Sequence, residues 1–219
     1  MTKIKICGLS CPSDIDAVNL AKPDFAGFII NYPKSRRSIS IDTLYALCAR
    51  LDPCILPVGV FVDAPIETVA ALLNDGVIAM AQLHGHEDAA YLAALRIRTT
   101  RPILQALILR TSEDVLRANQ STADWILVDS GRGSGILLDP AWLSDLKCPY
   151  FLAGGLTPQN LPSVCRTLHP AAVDLSSGVE TDGHKDKSKI LAAVAAVRSE
   201  EPCRKDASAF TAGNIFPKH

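Results

Sequence analysis

Short apolar runs alternate with helical patterns along almost the whole chain, and this alternation restricts the folds that the chain can adopt. Each run has four to eight residues, the length of a buried strand, and is followed by apolar residues at helical spacing. Repeated strand–helix units are typical of a parallel sheet covered by helices. We predict strands at residues 3–7, 25–30, 55–62, 79–84, 103–109, 125–129, 150–153 and 172–175.

The segments between these runs carry signals for helix formation. Ser40 precedes one of them and is a predicted N-cap, and Pro65 suits the first turn of the next. Alanine and leucine dominate the segment that begins at residue 86, which favours a helix there. We predict helices at residues 12–20, 41–50, 65–73, 86–98, 112–119, 140–146, 158–168 and 186–197.

Eight strand–helix units in about 200 residues fit a closed barrel at the small end of its size range. A doubly wound open sheet is the alternative, but it needs fewer strands at this length and a glycine-rich turn after the first strand. The turn that begins at Cys7-Gly8 has no dinucleotide-binding pattern. We therefore predict the α/β class and a single-domain (β/α)8 TIM barrel over residues 1–198.

The C-terminal residues 199–219 differ from the rest of the chain. They have no helical or strand period, and they contain two prolines. We predict that they form a poorly ordered extension of the catalytic domain, and we assign them no function.

Charge and hydropathy argue against two classes of partner. The formal net charge is −1 and aromatic residues make up 5% of the chain, which disfavours nucleic-acid binding. No segment has the length and hydrophobicity of a membrane span or a signal peptide. We therefore expect a cytoplasmic protein that binds neither nucleic acid nor membrane.

The seven cysteines are scattered and include no Cys-x-x-Cys pair, so we expect no disulfide framework. A zinc site built from Cys7, Cys11, His84 and His86 is an alternative use. The His-x-His spacing does not suit one helix face, and no four-ligand motif closes. We therefore predict no metal, and we interpret most of the cysteines as small buried hydrophobic residues.

Cys7 and Asp129 end the first and sixth predicted strands, where barrel enzymes carry their catalytic groups. A free thiol has a pKa of about 8.5, so Cys7 needs cationic neighbours such as Lys5 or a nearby arginine loop to ionise at neutral pH. Burial at an apolar strand end is able to keep Asp129 protonated as an acid. The alternatives are a core thiol, a turn or N-cap aspartate and, for His84 at another strand end, a structural role.

Two loops rich in glycine and serine follow the last two predicted strands. Gly154-Gly155 precedes a helix, and Ser176-Ser177-Gly178 follows the next strand. Glycine lets backbone amides approach an anion closely, and serine hydroxyls add donors. Either loop alone is equally well explained as a turn or cap. Because the two are neighbours in a barrel, where phosphate sites recur at this place, we predict a phosphate cradle.

A basic cluster of Lys34, Arg36 and Arg37 follows the second predicted strand. Arginine forks bind carboxylates through two hydrogen bonds. Taken alone, either arginine is better explained by a solvated basic loop. Opposite a phosphate site at a barrel mouth, however, the cluster predicts a substrate that carries both a phosphate and a carboxylate.

A series of segments, in order along the chain, resembles the phosphoribosylanthranilate isomerase family of tryptophan biosynthesis. Singly these segments are weakly diagnostic, but the series is specific. The strand-two loop departs from the family by being one residue longer, and the strand-six loop has Arg132 where a glycine is usual. The matching segments are residues 5–9 (KICGL), 27–28 (GF), 35–37 (SRR), 58–62 (VGVFV), 82–85 (QLHG), 127–130 (LVDS), 153–160 (AGGLTPQN) and 173–180 (VDLSSGVE), the last continuing to Gly183 and Lys185-Asp186.

This resemblance implies a (β/α)8 isomerase that needs no cofactor or metal. It implies an Amadori rearrangement of an N-linked phosphoribosyl aminoaldose to the aminoketose, with Cys7 as general base at C2′ and Asp129 as general acid at the ring oxygen. Arg37, or Arg36 in the lengthened loop, would bind the anthranilate carboxylate. The remaining implied substrate contacts are Gln82, His84 and Asp174, with Gly154, Gly155, Ser176, Ser177 and Gly178 as the phosphate cradle.

Two other functions stay open. The sister isomerase of histidine biosynthesis, or a bifunctional barrel, acts on a substrate with two phosphates and has an aspartate where this chain has Cys7. A non-catalytic barrel that senses a phosphorylated metabolite would need no matched pair of Cys7 and Asp129. In each case we expect a small phosphorylated ligand and a monomer or homodimer.

Overall fold

The computed structural model describes residues 1–129 and 140–199, and it shows a closed parallel barrel. Each strand pairs in parallel with the next, and the first strand pairs with both the second and the last, which closes the ring. The predicted fold class is confirmed. The barrel strands are β1 Lys3–Cys7, β2 Phe25–Ile30, β3 Leu56–Phe61, β4 Met80–Leu83, β5 Ile103–Leu107, β6 Trp125–Asp129, β7 Tyr150–Ala153 and β8 Ala172–Leu175.

A helix follows each barrel strand, as the alternating pattern predicted. Ser40 is confirmed as an N-cap, because its hydroxyl accepts from the Thr43 amide at 3.1 Å. One helix begins at Ala89 rather than at residue 86, since the Asp88 carboxylate caps it by accepting from the Tyr91 amide. The helices are α1 Pro12–Ala21, α2 Ile41–Cys48, α3 Ile66–Asn74, α4 Ala89–Arg98, α5 Ser112–Gln120, α6 Pro140–Ser144, α7 Leu161–Leu168 and α8 Lys187–Ser199.

Side-chain alternation divides each strand between two environments. In β1, Ile4 and Ile6 face outward into the core between sheet and helices, whereas Lys5 and Cys7 face the barrel interior. Toward the amino ends of the strands the interior is an apolar layer, so that end of the barrel contributes stability. This layer includes Phe25, Val58, Met80, Leu104, Leu127 and Phe151.

The interior becomes polar toward the carboxyl ends of the strands. Lys5, Gln82 and Asp174 are buried there, and Asp129 ends its strand at the same level. Buried polar residues are rare unless they are paired or functional. The interior therefore changes from apolar to polar at the carboxyl ends of the strands, and this is the end of the barrel where a functional site is expected.

Two short additions to the barrel were not predicted. Ser38–Ile39 forms a two-residue parallel strand beside β2. After β8, a 3₁₀ turn at Ser177–Val179 leads into a small antiparallel hairpin of Glu180–Thr181 and His184–Lys185. Both additions lie at the carboxyl ends of their strands and shape the mouth of the barrel.

Some predictions lie outside the described residues. These are the strand-six loop at residues 130–139 and almost all of the C-terminal extension, from residue 200 onward. Within the part of the chain that the structure covers, no helix has the length and hydrophobicity needed to cross a membrane.

Candidate active site

Cys7 ends β1 with its side chain in the barrel interior, where it is 7% exposed. Lys5 shares this face, because residues two apart on a strand point the same way. Gly27 of β2 is paired with Cys7 in the sheet register. A Cβ at Gly27 would lie 2.8 Å from Cys7 Sγ and 2.9 Å from Lys5 Nζ, so this position needs glycine for space. The sulfur and the ammonium therefore lie side by side.

Lys5 and Asp174 form an ion pair inside the barrel, with Nζ and Oδ2 2.9 Å apart and Lys5 fully buried. Burial disfavours the ammonium, but the charges of Asp174 and Cys7 outweigh it and raise the pKa of Lys5 above its ordinary value. Within residues 1–129 and 140–199, Asp174 Oδ1 has no hydrogen-bond partner. Lys5 is therefore a permanent cation, and Asp174 keeps one acceptor oxygen for a further group.

The ionisation of Cys7 is decided mainly by burial. Burial raises the pKa of the thiol above its ordinary value, Lys5 opposes that rise, and Asp174 adds to it. The cationic help expected from Lys5 is present, but it does not outweigh burial. In the free protein at neutral pH, Cys7 is mainly a thiol.

Asp129 faces His84 across the mouth, with Oδ2 and Nε2 3.9 Å apart. The other ring nitrogen of His84, Nδ1, lies 2.8 Å from Gln82 Nε2. Burial lowers the pKa of His84 although Asp129 opposes this, so the ring is neutral at pH 7. With the Gln82 amide donating to Nδ1, the ring proton is on Nε2 and faces Asp129.

Arg37 is held by Glu180 of the hairpin. Arg37 Nε and Nη2 donate to the two carboxylate oxygens of Glu180 at 2.6 and 2.8 Å, and Arg36 and Lys185 bind the same carboxylate at 2.5 and 2.8 Å. Burial opposes ionisation of Glu180, but the hydrogen bonds from Arg37 and Lys185 prevail and lower its pKa to about 2. This cluster joins the loop after β2 to the hairpin after β8.

The two predicted phosphate loops lie against each other. A Cβ at Gly178 would collide with the carbonyl oxygen of Leu156, so the loop after β8 packs on the loop after β7. Gly154 and Gly155 have φ values of 91° and 62°, which glycine adopts without strain. A Cβ at Gly155 would meet no atom within 4 Å, so the space beside it is open among the described residues.

Asn160 shapes the first of these loops and delays the helix that follows it. Its side chain accepts from the Thr157 amide at 2.8 Å and donates to the Gly155 carbonyl at 3.0 Å. For this reason α7 begins at Leu161 rather than at residue 158. Ser176 is also engaged, because its carbonyl accepts from Lys185 Nζ at 2.9 Å.

A polar cavity of about 220 Å³ opens beside the arginine cluster. It lies between the loop after β1, the loop after β2 and the hairpin after β8. Cations and anions both line it, which suits a polar ligand better than an apolar one. Its lining includes Gly8, Ser10, Arg36, Arg37, Glu180 and Lys185.

The residues proposed for a zinc site are not assembled into one. Among the described residues, no group of three or more His, Cys, Asp or Glu side chains could hold a metal ion. His86 pairs with Asp63 at 3.1 Å, and Cys11 Sγ contacts the Ser13 hydroxyl at 3.1 Å. Both side chains are therefore engaged in other contacts.

Glu180 and Lys185 belong to the site but were not predicted as site residues. Both lie in the last segment that matches the family, and the arginine partners of Glu180 lie more than a hundred residues earlier. The hairpin that presents both residues is too short to leave a periodic signal. Glu180 and Lys185 are paired opposite each other on the two strands of the hairpin, which brings the two residues together.

The family model for N-(5′-phosphoribosyl)anthranilate isomerase matches residues 4–196. The enzyme of this name from Endomicrobium trichonymphae is 40% identical over 91% of this chain and 100% of its own length.

Two solved structures are similar in fold. Monomers derived from the dimeric phosphoribosylanthranilate isomerase of Thermotoga maritima have a TM-score of 0.76 and 29% identity, with 90% of this chain and 99% of theirs covered. A phosphoribosylanthranilate isomerase in complex with reduced 1-(o-carboxyphenylamino)-1-deoxyribulose 5-phosphate has a TM-score of 0.76 and 30% identity, covering 91% of this chain and 100% of its own. The barrel and the comparisons agree: this chain belongs to the phosphoribosylanthranilate isomerase family of tryptophan biosynthesis.

Proposed function

We propose that the chain converts N-(5-phosphoribosyl)anthranilate into 1-(2-carboxyphenylamino)-1-deoxyribulose 5-phosphate, with Cys7 as general base and Asp129 as general acid. One observation carries this assignment of roles. Cys7 and Asp129 end β1 and β6 at the same mouth of the barrel, and the buried ammonium of Lys5 adjoins the thiol. A barrel that only bound its ligand would need neither an acid–base pair nor a buried cation beside a cysteine.

Asp129 acts first in the proposed reaction. It gives its proton to the furanose ring oxygen, the bond from that oxygen to C1′ breaks, and the nitrogen lone pair forms an iminium with C1′. Asp129 is left as a carboxylate facing the Nε2–H of His84, 3.9 Å away in the free protein. A neutral donor at this place stabilises the carboxylate as it forms.

Cys7 acts on the ring-opened intermediate. The iminium withdraws electrons from C2′, so a modest base is sufficient to remove the C2′ proton. As the thiolate takes this proton, the C–H electron pair forms the C1′–C2′ double bond and neutralises the nitrogen. The enol then becomes the ketone as its hydroxyl proton leaves and C1′ gains a proton. Acid and base act on different atoms of one sugar, which requires separate strands.

Arg37 is the better placed arginine for the anthranilate carboxylate. Its side chain is 22% exposed and fixed by two hydrogen bonds to Glu180, whereas that of Arg36 is 58% exposed. A guanidinium that is already oriented loses less freedom when it binds an anion. Within the described part of the chain, Arg37 Nη1 has no hydrogen-bond partner, so it is the edge that we assign to the substrate.

The other ligand contacts follow from the loops and from two buried acceptors. We assign the phosphate to the amides beside Gly154 and Gly155 and to the turn formed by Ser176, Ser177 and Gly178. Asp174 Oδ1 and Gln82 Oε1 have no hydrogen-bond partner among the described residues. Buried acceptors of this kind suit the hydroxyls of a sugar. The final proposed contacts are Gln82, His84 and Asp174.

We also propose that the chain is a monomer or a homodimer and that it acts in the cytoplasm. Support for a dimer comes from the Thermotoga maritima relative, which is described as dimeric. Sedimentation of the purified chain distinguishes the two states.

The activity is tested by following turnover of freshly prepared phosphoribosylanthranilate spectroscopically, with the histidine-pathway substrate measured in parallel. We expect conversion of the first and none of the second, because Cys7 replaces the aspartate of the sister isomerase. Conversion of both would establish a bifunctional barrel. Binding without conversion would support the metabolite sensor and refute the proposed reaction.

A further inference from the structure

Lys5 has a position that packing alone does not explain. It is a fully buried cation in the barrel interior, and its nearest carboxylate, Asp174 Oδ2, is 2.9 Å away. An ion pair in such a place gains little stability, because removing both charges from water costs about as much as their attraction returns. The layer beneath is packed with Phe25, Met80 and Phe151. An apolar pair would serve the fold equally well here.

The Lys5 ammonium adjoins the sulfur of Cys7 as well as Asp174. The sulfur and Nζ both border the space that a Cβ on Gly27 would occupy, at 2.8 and 2.9 Å from it. A hydrogen bond of 2.9 Å joins Lys5 Nζ to Asp174 Oδ2, and the charge of the ammonium acts on the sulfur of Cys7. The ammonium therefore lies between the carboxylate of Asp174 and a group that becomes an anion only when it loses its proton.

We propose that Lys5 is the positioning residue of the general base: its ammonium holds the Cys7 thiolate in place for the C2′ proton, and Asp174 fixes the ammonium. This inference rests on the proposed role of Cys7. Cys7 loses its proton to solvent before turnover and forms an ion pair with Lys5. After it has taken the C2′ proton, the thiol returns that proton to solvent and Asp129 regains one from solvent, so the enzyme ends as it began.

The other charged groups around Cys7 come from three elements. Asp174 on β8 opposes the thiolate, whereas Lys185 on the hairpin and Arg37 in the loop after β2 favour it. Lys185 and Arg37 are already bound to Glu180, which compensates their charge. The charges of Lys5 and Asp174 also act on His84, which follows β4. Burial lowers the pKa of its ring, so the ring is neutral. Lys5 is thus the cation that acts most strongly on the sulfur.

This arrangement predicts opposite effects for two substitutions in one ion pair. Lys5→Met removes the cation with little change of volume, whereas Asp174→Asn removes the anion and leaves the cation. We expect the midpoint of the Cys7 titration to rise by about one pH unit or more in Lys5→Met and to fall in Asp174→Asn. Damage to the structure alone would not move the two midpoints in opposite directions.

The experiment titrates the ultraviolet absorbance of the Cys7 thiolate against pH in each purified full-length variant. A matched protein that also carries Cys7→Ser supplies the baseline, which removes the signal of the other cysteines. In Lys5→Met we also expect kcat at neutral pH to fall about tenfold for each unit of rise, with KM within about twofold. Unchanged midpoints in both single variants, or shifts in the same direction, would overturn the proposal.

A double variant keeps the test decisive if Lys5→Met does not fold because Asp174 is left buried without its partner. Lys5→Met/Asp174→Asn removes both charges, and we expect a Cys7 midpoint above that of the unmodified protein. A midpoint at or below the unmodified value would overturn the proposal. Failure of the general-base role is recognised separately, because Cys7→Ala would then retain full turnover whatever the titration of Cys7 in the other variants.

Discussion

Arg37 and Glu180 form an ion pair with two hydrogen bonds, Nε to Oε1 at 2.6 Å and Nη2 to Oε2 at 2.8 Å, across 143 residues of sequence. Arg36 and Lys185 bind the same carboxylate. The pair fixes the direction of the Arg37 side chain before any substrate arrives. It also ties the loop after β2 to the hairpin after β8.

Arg37→Ala should weaken the binding of product analogues that carry the anthranilate carboxylate by about 10–100-fold, the usual effect of losing hydrogen bonds to a charged group. Ribose 5-phosphate, which has no carboxylate, should bind as before. Calorimetric titration of both ligands measures this difference. Arg36→Ala is the matched control, and the same selectivity in that variant instead would assign the carboxylate to Arg36.

Glu180→Gln should destabilise the protein by about 3 kcal/mol, because Lys185 and Arg37 lose the anion that compensates their charge. The substitution should also reduce the dependence of the free energy of unfolding on pH in the acid range. Since the pKa of Glu180 is about 2 in the folded protein and ordinarily 4.5, its contribution is complete above pH 4.5 and is lost as the pH falls toward 2. Urea unfolding as a function of pH measures both effects.

The exposed Glu67, which meets Arg98 at 3.5 Å, provides the control for that experiment. Glu67→Gln should change the free energy of unfolding by less than about 1 kcal/mol at any pH. If Glu180→Gln has the same small effect, the Glu180 cluster contributes little to stability.

Gly155→Ala should reduce the affinity for ribose 5-phosphate, because its methyl group would enter the open space that we assign to the phosphate. Gly76→Ala is a matched control at the opposite end of the barrel. Both glycines have positive φ, 62° and 73°, and neither would bring a Cβ within 4 Å of another atom. Each alanine should cost about 1 kcal/mol of stability through backbone strain.

Thermal unfolding and ligand titration of these two variants separate strain from binding. We expect similar losses of stability but weaker phosphate binding only in Gly155→Ala. Equal phosphate affinities would show that the cradle lies elsewhere.

With Asp129 replaced by Asn, so that the acid no longer titrates, the residual kcat/KM should increase as the pH rises from neutral into the alkaline range. Burial raises the pKa of Cys7, so the basic form of the thiol becomes populated only there. Cys7→Asp supplies a base that is already ionised at neutral pH, so its residual activity should lack this rising limb. An identical rising limb in Cys7→Asp would assign the pH dependence to another group.

The barrel could be predicted from the sequence because its signal is local. Each buried strand is a short apolar run, and each helix repeats its apolar residues at helical spacing, so the eight units were recognised with boundaries wrong by a few residues. The boundaries moved where a side chain formed its own cap or loop contact, as Asp88 and Asn160 do. Such contacts depend on three-dimensional details that periodicity does not carry.

The site was predictable only in part. The positions of Cys7 and Asp129 at the mouth of the barrel followed from their places at strand ends, and the position of Lys5 followed because it shares a face with Cys7. Glu180 was not, since its role depends on Arg37, which is distant in sequence. The raised pKa of Cys7 was also not predictable, because the degree of burial appears only when β2 and β8 enclose the sulfur.

The central claim, that Cys7 and Asp129 are the base and the acid, is tested most directly by kcat for Cys7→Ala and Asp129→Asn with phosphoribosylanthranilate. We predict that each substitution lowers kcat by about 10²–10⁴-fold, the usual contribution of a general acid or base, while ribose 5-phosphate still binds with unchanged affinity. Turnover close to that of the unmodified enzyme in either variant would contradict the role assigned to that residue.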